Sequence, residues 1–165
     1  MFIITVTSNN RGLYEWPRTV QGVTVDLQCK GSPPMHPPGW KNSMSHISSP
    51  HKTRIRLAHH MCDHQGRWRA LNTSDCPFVS DTTKILEQFA ATNISSSKTT
   101  SLLDYSRSLR NFTQGGLVFK DPIDLVFLAQ TVQQYTTLLP SLPAPRETAE
   151  VLFDVVASTL SASRG

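Results

Sequence analysis

Residues 60–76 read HMCDHQGRWRALNTSDC, and the reading of this stretch decides the first half of the chain. Gln65-Gly66 is a turn signal, so Trp68 runs back past the segment before it, between Cys62 and the closing Cys76. Working outward, residues 53–62 (TRIRLAHHMC) form an extended run with Ile55, Leu57 and Met61 expected on its apolar side. Further upstream, residues 31–52 hold five prolines (Pro33, Pro34, Pro37, Pro38 and Pro50) among Gly and Ser, the composition of an irregular loop. Ahead of that loop, Val23, Val25 and Leu27 alternate with Thr24, Asp26 and Gln28 in a half-buried strand that ends at Cys29. Trp16-Pro17 precedes it. A Trp held in place by the following Pro is costly to order unless it anchors a small core. Residues 11–78 therefore read as a small, loop-rich β module with three Cys, and residues 1–10 as a poorly defined N-terminus.

The period changes from 2 to 3.6 after residue 79. Residues 81–165 contain no Cys, Trp or His. Asp81 stands at the start of a helix carrying Ile85, Leu86 and Phe89. TNISSSKTTS (92–101) links it to a second helix near 101–110, and Gly115-Gly116 is a break. Residues 121–139 give the clearest helix, with Asp121 as N-cap, Pro122 first in the helix, and Asp124 in the first turn, where the helix dipole favours a carboxylate. Leu125, Leu128, Ala129, Val132, Tyr135 and Leu139 form its apolar stripe. Val126 and Phe127 widen the stripe and imply burial on more than one side. A last helix, about 146–160, is expected to bury Ala149, Leu152, Phe153, Val156 and Leu160. The fold class is α+β: a small β module followed by a helical segment, 79–165.

Charge and composition narrow the function. The net charge of +4 is uneven: residues 1–80 carry nine Lys/Arg against four Asp/Glu, and residues 81–165 seven against eight. No Lys/Arg run has the footprint of a nucleic-acid partner. No segment approaches the roughly 18 apolar residues of a membrane span, and MFIITV (1–6) is too short and lacks the basic start of a signal peptide. His59, His60, Cys62 and His64 invite a zinc reading, but a structural site needs two spaced ligand pairs and the second pair is missing. Cys62 beside His has no group to orient the base, and no oxyanion or phosphate loop accompanies it. The expectation is no catalytic residue, no metal and no cofactor. Three triplets, at Asn72, Asn93 and Asn111, fit the N-glycosylation pattern. A Ser/Thr-rich chain produces such triplets by chance, and these gain weight beside a cysteine-bearing β module. Asn93 and Asn111 lie beside helix ends or polar links, where a glycan projects into solvent. Asn72, four residues from Cys76, is the more shielded position.

Trp16, Pro17, Gly22 and Cys29, followed by Cys62, Gly66, Trp68 and Cys76, resemble the hormone-receptor motif domain of family B and adhesion G-protein-coupled receptors. That pattern runs Trp-Pro, Gly, a strand into Cys, then Cys-x3-Gly-x-Trp and a closing Cys. The resemblance implies a core of Trp16, Pro17, Gly22, Gly66 and Trp68, too small to hold without disulfides. It also implies a Cys29–Cys76 disulfide. In the family, the Cys at the place of Cys62 pairs with one upstream of Trp-Pro. This sequence has none, so Cys62 is expected to be unpaired. The stretches PFVSDTTKILEQFA (77–90), NISSS (93–97), DPIDLVFLAQTVQQY (121–135) and EVLFDVVASTL (150–160) resemble the helical first subdomain of the GAIN domain. The likeness is to the A subfamily of adhesion receptors more than to latrophilin-like receptors, and it runs from about Leu13 to Leu160.

The resemblance implies an extracellular piece of an adhesion receptor at the plasma membrane. Such a piece meets an extracellular protein or glycan ligand and touches the membrane only through transmembrane segments that this chain lacks. It also implies that the chain starts inside the first domain and stops before any autoproteolysis site. Two other classes compete: a secreted, non-receptor binding module, and an intracellular zinc-binding protein.

Overall fold

The computed structural model describes residues 5–30, 55–94 and 99–164. They divide into two units, with the boundary between Ser80 and Asp81. The proline-rich stretch, with His36, His46 and His51, lies outside the described residues, as does the middle of the Ser/Thr link.

The first unit is built from two antiparallel strand pairs. Strands β1 (Thr5–Asn9) and β2 (Gly12–Trp16) form a hairpin in which Thr5 faces Trp16 and Asn9 faces Gly12. Strand β1 lies within the N-terminal stretch that patterning leaves undefined. In β2, Gly12, Tyr14 and Trp16 turn inward while Leu13 and Glu15 face out, the period-2 alternation of a strand with one buried side. Pro17 follows directly and ends the strand, since it has no N–H to give a ladder. Strands β3 (Thr24–Gln28) and β4 (Leu57–Met61) pair with Val25 opposite His60 and Leu27 opposite Ala58. Tyr14, Trp16, Ala58 and Cys76 are the buried centre, and Val25, Leu27, Cys29, Trp68 and Leu71 pack around it.

β4 buries the opposite face from the one its apolar residues suggest. Ala58 and His60 point inward, whereas Ile55 and Met61 are exposed and Leu57 is half-buried. A one-residue change of register inverts every side chain of a strand, and here aromatic stacking on His60 outweighs the burial of Ile55 and Met61.

The second unit has four helices: α1 (Asp81–Ala91), α2 (Thr99–Gln114), α3 (Pro122–Leu138) and α4 (Pro145–Ala162), with a 3₁₀ turn at Leu139–Ser141. α1 packs on α3 and α2 packs on α4. Ile85, Leu86, Phe89, Leu102, Leu109, Leu128, Tyr135, Leu152 and Val155 make one apolar core. The N-terminus of α3 follows its sequence signals. The Asp121 carboxylate accepts from the Ile123 N–H (3.0 Å), and the Asp124 carboxylate accepts from the Asp121 N–H (3.3 Å).

The buried faces of α3 and α4 are rotated from those the apolar residues predict. On α3 the inward line is Asp124, Leu128, Thr131 and Tyr135; Leu125, Val126 and Ala129 are exposed. On α4 it is Thr148, Val151, Leu152 and Val155, whereas Phe153, Val156 and Leu160 are exposed. Helix-to-backbone bonding explains part of the shift. The Thr131 hydroxyl donates to the Phe127 carbonyl (2.8 Å), so this polar side chain enters the core already satisfied. Asp124 is buried because the Thr83 hydroxyl on α1 donates to it at 2.6 Å. On α4, ion pairs from Arg107 to Glu147 and from Arg110 to Asp154 (3.4 Å) join it to α2.

Candidate functional site

The residues that carry the sequence signature gather in the β module. β2 brings Trp16 to the centre, where its indole N–H donates to the Thr7 hydroxyl at 2.8 Å. Trp68 sits half-buried, with its N–H donating to the Thr5 hydroxyl at 2.9 Å. Between the two rings lies His60, edge-on to Trp16 (centroids 4.8 Å) and stacked on Trp68 (4.4 Å). Its Nε2 is 2.9 Å from the Arg69 carbonyl. Both indole partners come from β1, which explains why this strand belongs to the module.

Cys29 and Cys76 form a disulfide that closes a loop of 47 positions. Around it, Arg11 donates to the Cys76 carbonyl and stacks on the Phe78 ring at 3.9 Å. Cys62 is a buried free thiol beside the Asp63 carbonyl. Asp63 organises the turn that follows. Its carboxylate accepts the N–H groups of Gln65 and Arg67, both at 2.9 Å, and lies 3.2 Å from Arg69. The Arg67 N–H above all, against a smaller opposing effect of burial, holds its carboxyl below the usual carboxylate range.

The structure places the signature residues unequally. Trp16 and Trp68 occupy the core. Pro17 and Gly66 are exposed and Gly22 is half-buried, so these three are not core residues. Their roles are conformational. Gly22 (φ +79°) and Gly66 (φ +76°) take left-handed backbone that L side chains avoid. At Gly22 a Cβ would stand 2.8 Å from the His64 ring. Tyr14 and His60, both central to the core, carry no motif signal. The Tyr14–Trp16 alternation is the trace that points to an inward-facing β2.

The other face of the β3–β4 pair is mixed, with Met61 and Leu57 beside Thr24, Asp26, Gln28 and His59. The Asp26 carboxylate and His59 Nδ1 are 2.6 Å apart across β3 and β4. Strand alternation thus separates His59, on this outer face, from His60 on the inner one. Among the described residues, no three His, Cys, Asp or Glu side chains group as a metal site. Beside His59 runs residue 72, paired with it through both backbone groups (2.8 and 2.9 Å). The three glycosylation triplets differ in setting. Asn72 is exposed in a turn, Asn93 is exposed beyond the end of α1, and Asn111 lies inside α2, which extends four residues past the expected end.

Comparison with known proteins accounts for both units. The ADGRA3-like GAIN domain family matches residues 80–164, which contain all four helices. The chain is 29% identical over 153 residues to mouse adhesion G protein-coupled receptor A2, covering 93% of this chain and 10% of that receptor. It is 27% identical to human adhesion G protein-coupled receptor A3 over 154 residues, covering 93% of this chain and 11% of the receptor. The zebrafish A3 receptor is 26% identical over 155 residues. The chain spans about a tenth of the length of these curated relatives. No solved structure matches it. No helix among the described residues is long and apolar enough to cross a membrane. With the helical unit matched by the family and the receptor likeness running through the β module as well, the chain belongs to the A subfamily of adhesion G protein-coupled receptors, within the ADGRA3-like GAIN domain family.

Proposed function

We propose that this chain serves on the outside of the plasma membrane as part of an adhesion receptor, presenting a disulfide-closed β module and a helical unit to an extracellular protein or glycan. The role is binding and support, with no catalysis, no bound metal and no cofactor. Signalling across the membrane is assigned to spanning segments outside the matched tenth of the relatives. The observation that carries this reading is the Cys29–Cys76 disulfide within a chain of this family. A small core cross-linked in this way suits an oxidising compartment, and such bonds do not persist in a reducing cytosol.

The test is surface labelling of the receptor expressed from its full transcript, carrying an epitope tag at the β module. The tag is expected to be accessible on unpermeabilised cells, and non-reducing peptide mapping is expected to find Cys29 linked to Cys76. A tag reachable only after permeabilisation, with Cys29 and Cys76 both alkylatable, would overturn the reading. Tagged protein found only in the medium would favour a secreted module instead.

A further inference from the structure

We propose that Asn72 is an N-glycan acceptor of this chain and that Asn111 is not one; this rests on the extracellular reading above. The sequence favours the reverse order, because Asn72 lies close to Cys76. The structure separates the two sites by the state of the third residue in each triplet.

At Asn72 the triplet forms a side-chain-closed turn. The Asn72 Oδ1 accepts from the Ser74 N–H (3.1 Å) and from the Ser74 hydroxyl (2.7 Å). Both bonds close within three residues, so the turn needs nothing from the rest of the fold. The flanking backbone is nonetheless held. Residue 72 pairs with His59, and the Cys76 N–H donates to the Thr73 carbonyl at 2.9 Å. The Thr73 side chain points inward and accepts from Asn9 Nδ2 at 2.9 Å. Asn72 and Ser74, on either side of it, are exposed. The carboxamide is therefore presented to solvent with its oxygen engaged by the hydroxyl that the glycosylation pattern requires.

At Asn111 the triplet is helical. Thr113 is buried, and its hydroxyl donates to the Arg110 carbonyl at 3.0 Å, away from the acceptor amide. The chemistry that follows at Asn72 is transfer from a polyprenyl-pyrophosphate-linked oligosaccharide, the donor of the secretory pathway. Nδ2 bonds to the anomeric carbon, the pyrophosphate leaves with the bonding electron pair, and Nδ2 gives up one proton.

The whole chain, routed through a secretory pathway by an added leader, tests this by site-resolved mass spectrometry after glycosidase treatment in heavy-oxygen water. Most secreted chains are expected to be labelled at Asn72 and few at Asn111. Asn72→Gln and Ser74→Ala should each remove the same glycan, while Ser74→Thr, which keeps the hydroxyl, retains it. Asn111→Gln should leave the glycan pattern unchanged. A secreted chain with the Cys29–Cys76 bond formed but bare at Asn72, or occupied chiefly at Asn111, overturns the assignment. Because the leader imposes the route, that failure is distinct from failure of the surface-labelling test.

Discussion

Two residues show how a single side chain sets local stability. Asp63 holds the turn that returns Trp68 to the core, through two backbone N–H groups and Arg69. Its carboxyl is held below the ordinary value of about 4. A lowered pKa adds stability that is present above the unfolded value and lost as pH falls through the folded one. Asp63→Ala should therefore lower the midpoint of urea unfolding at pH 7, followed by tryptophan fluorescence. The gap between variant and parent should narrow once the pH drops below about 4. A gap that stays constant from pH 7 to pH 2 would remove Asp63 from this role. Tyr135 is the opposite case. It is fully buried in the helical core, and its hydroxyl has no hydrogen-bond partner among the described residues. Burial, reinforced by Tyr105, pushes its phenol well above the usual range, so it is neutral at pH 7. Replacing an unsatisfied buried hydroxyl by hydrogen removes a desolvation cost of about 1 kcal/mol or more. Tyr135→Phe should accordingly raise the urea midpoint of the helical circular dichroism signal, and a lowered midpoint would mean that the hydroxyl has a partner.

Among the elements, α3 has the most complete set of local signals. Asp121, Pro122 and Asp124 mark its start, and the observed capping box uses both carboxylates. Asp121→Ala should cost about 1 kcal/mol. Asp124→Ala should cost more, because it also removes the Thr83–Asp124 bond that joins α1 to α3. Comparing the two in denaturant titrations separates a cap from a bridge between helices; equal losses would show that the Thr83 bond contributes nothing. The inward faces were harder to read than the boundaries. Thr131 on α3 and Ser106 on α2 return their hydroxyls to carbonyls four residues back, at 2.8 and 2.7 Å, and so enter the core as satisfied groups. A rule that equates apolar with inward misses such positions. It also assigns Phe153 and Leu160 to the core of this unit, where they are exposed. The hairpin of β1 and β2 was obscured for another reason. Thr5, Thr7 and Asn9 are polar, yet they face Trp16, Tyr14 and Gly12 across the ladder, and the two threonines bind indole N–H groups.

For the molecule as a whole, the Cys29–Cys76 bond is the strongest single constraint on the β module. Closing a 47-position loop restricts the unfolded chain by about 4 kcal/mol. The double variant Cys29→Ser, Cys76→Ser should lose about that much, read by fluorescence of Trp16 and Trp68. A loss below about 1 kcal/mol would show that the aromatic stack holds the module unaided. The division into a β module and a helical unit, the position of the turn at Gly66, the start of α3 and the family likeness were all present in the residues themselves. They depend on local chemistry: backbone freedom at glycine, caps, breaks and spacing, none of which needs a distant partner. The direction in which each element faces did not follow from the residues alone. Whether β4 buries Met61 or His60, and whether α4 buries Phe153 or Val155, is settled by what stands opposite. For β4 that is the pair of Trp rings, and for α4 it is the matching face of α2. The same holds for the acceptor triplets, where identical patterns differ because one closes a turn in solvent and the other is wound into a helix with its hydroxyl buried. Packing against a partner distant in sequence carries the larger energy, so it overrides the local pattern wherever the two disagree.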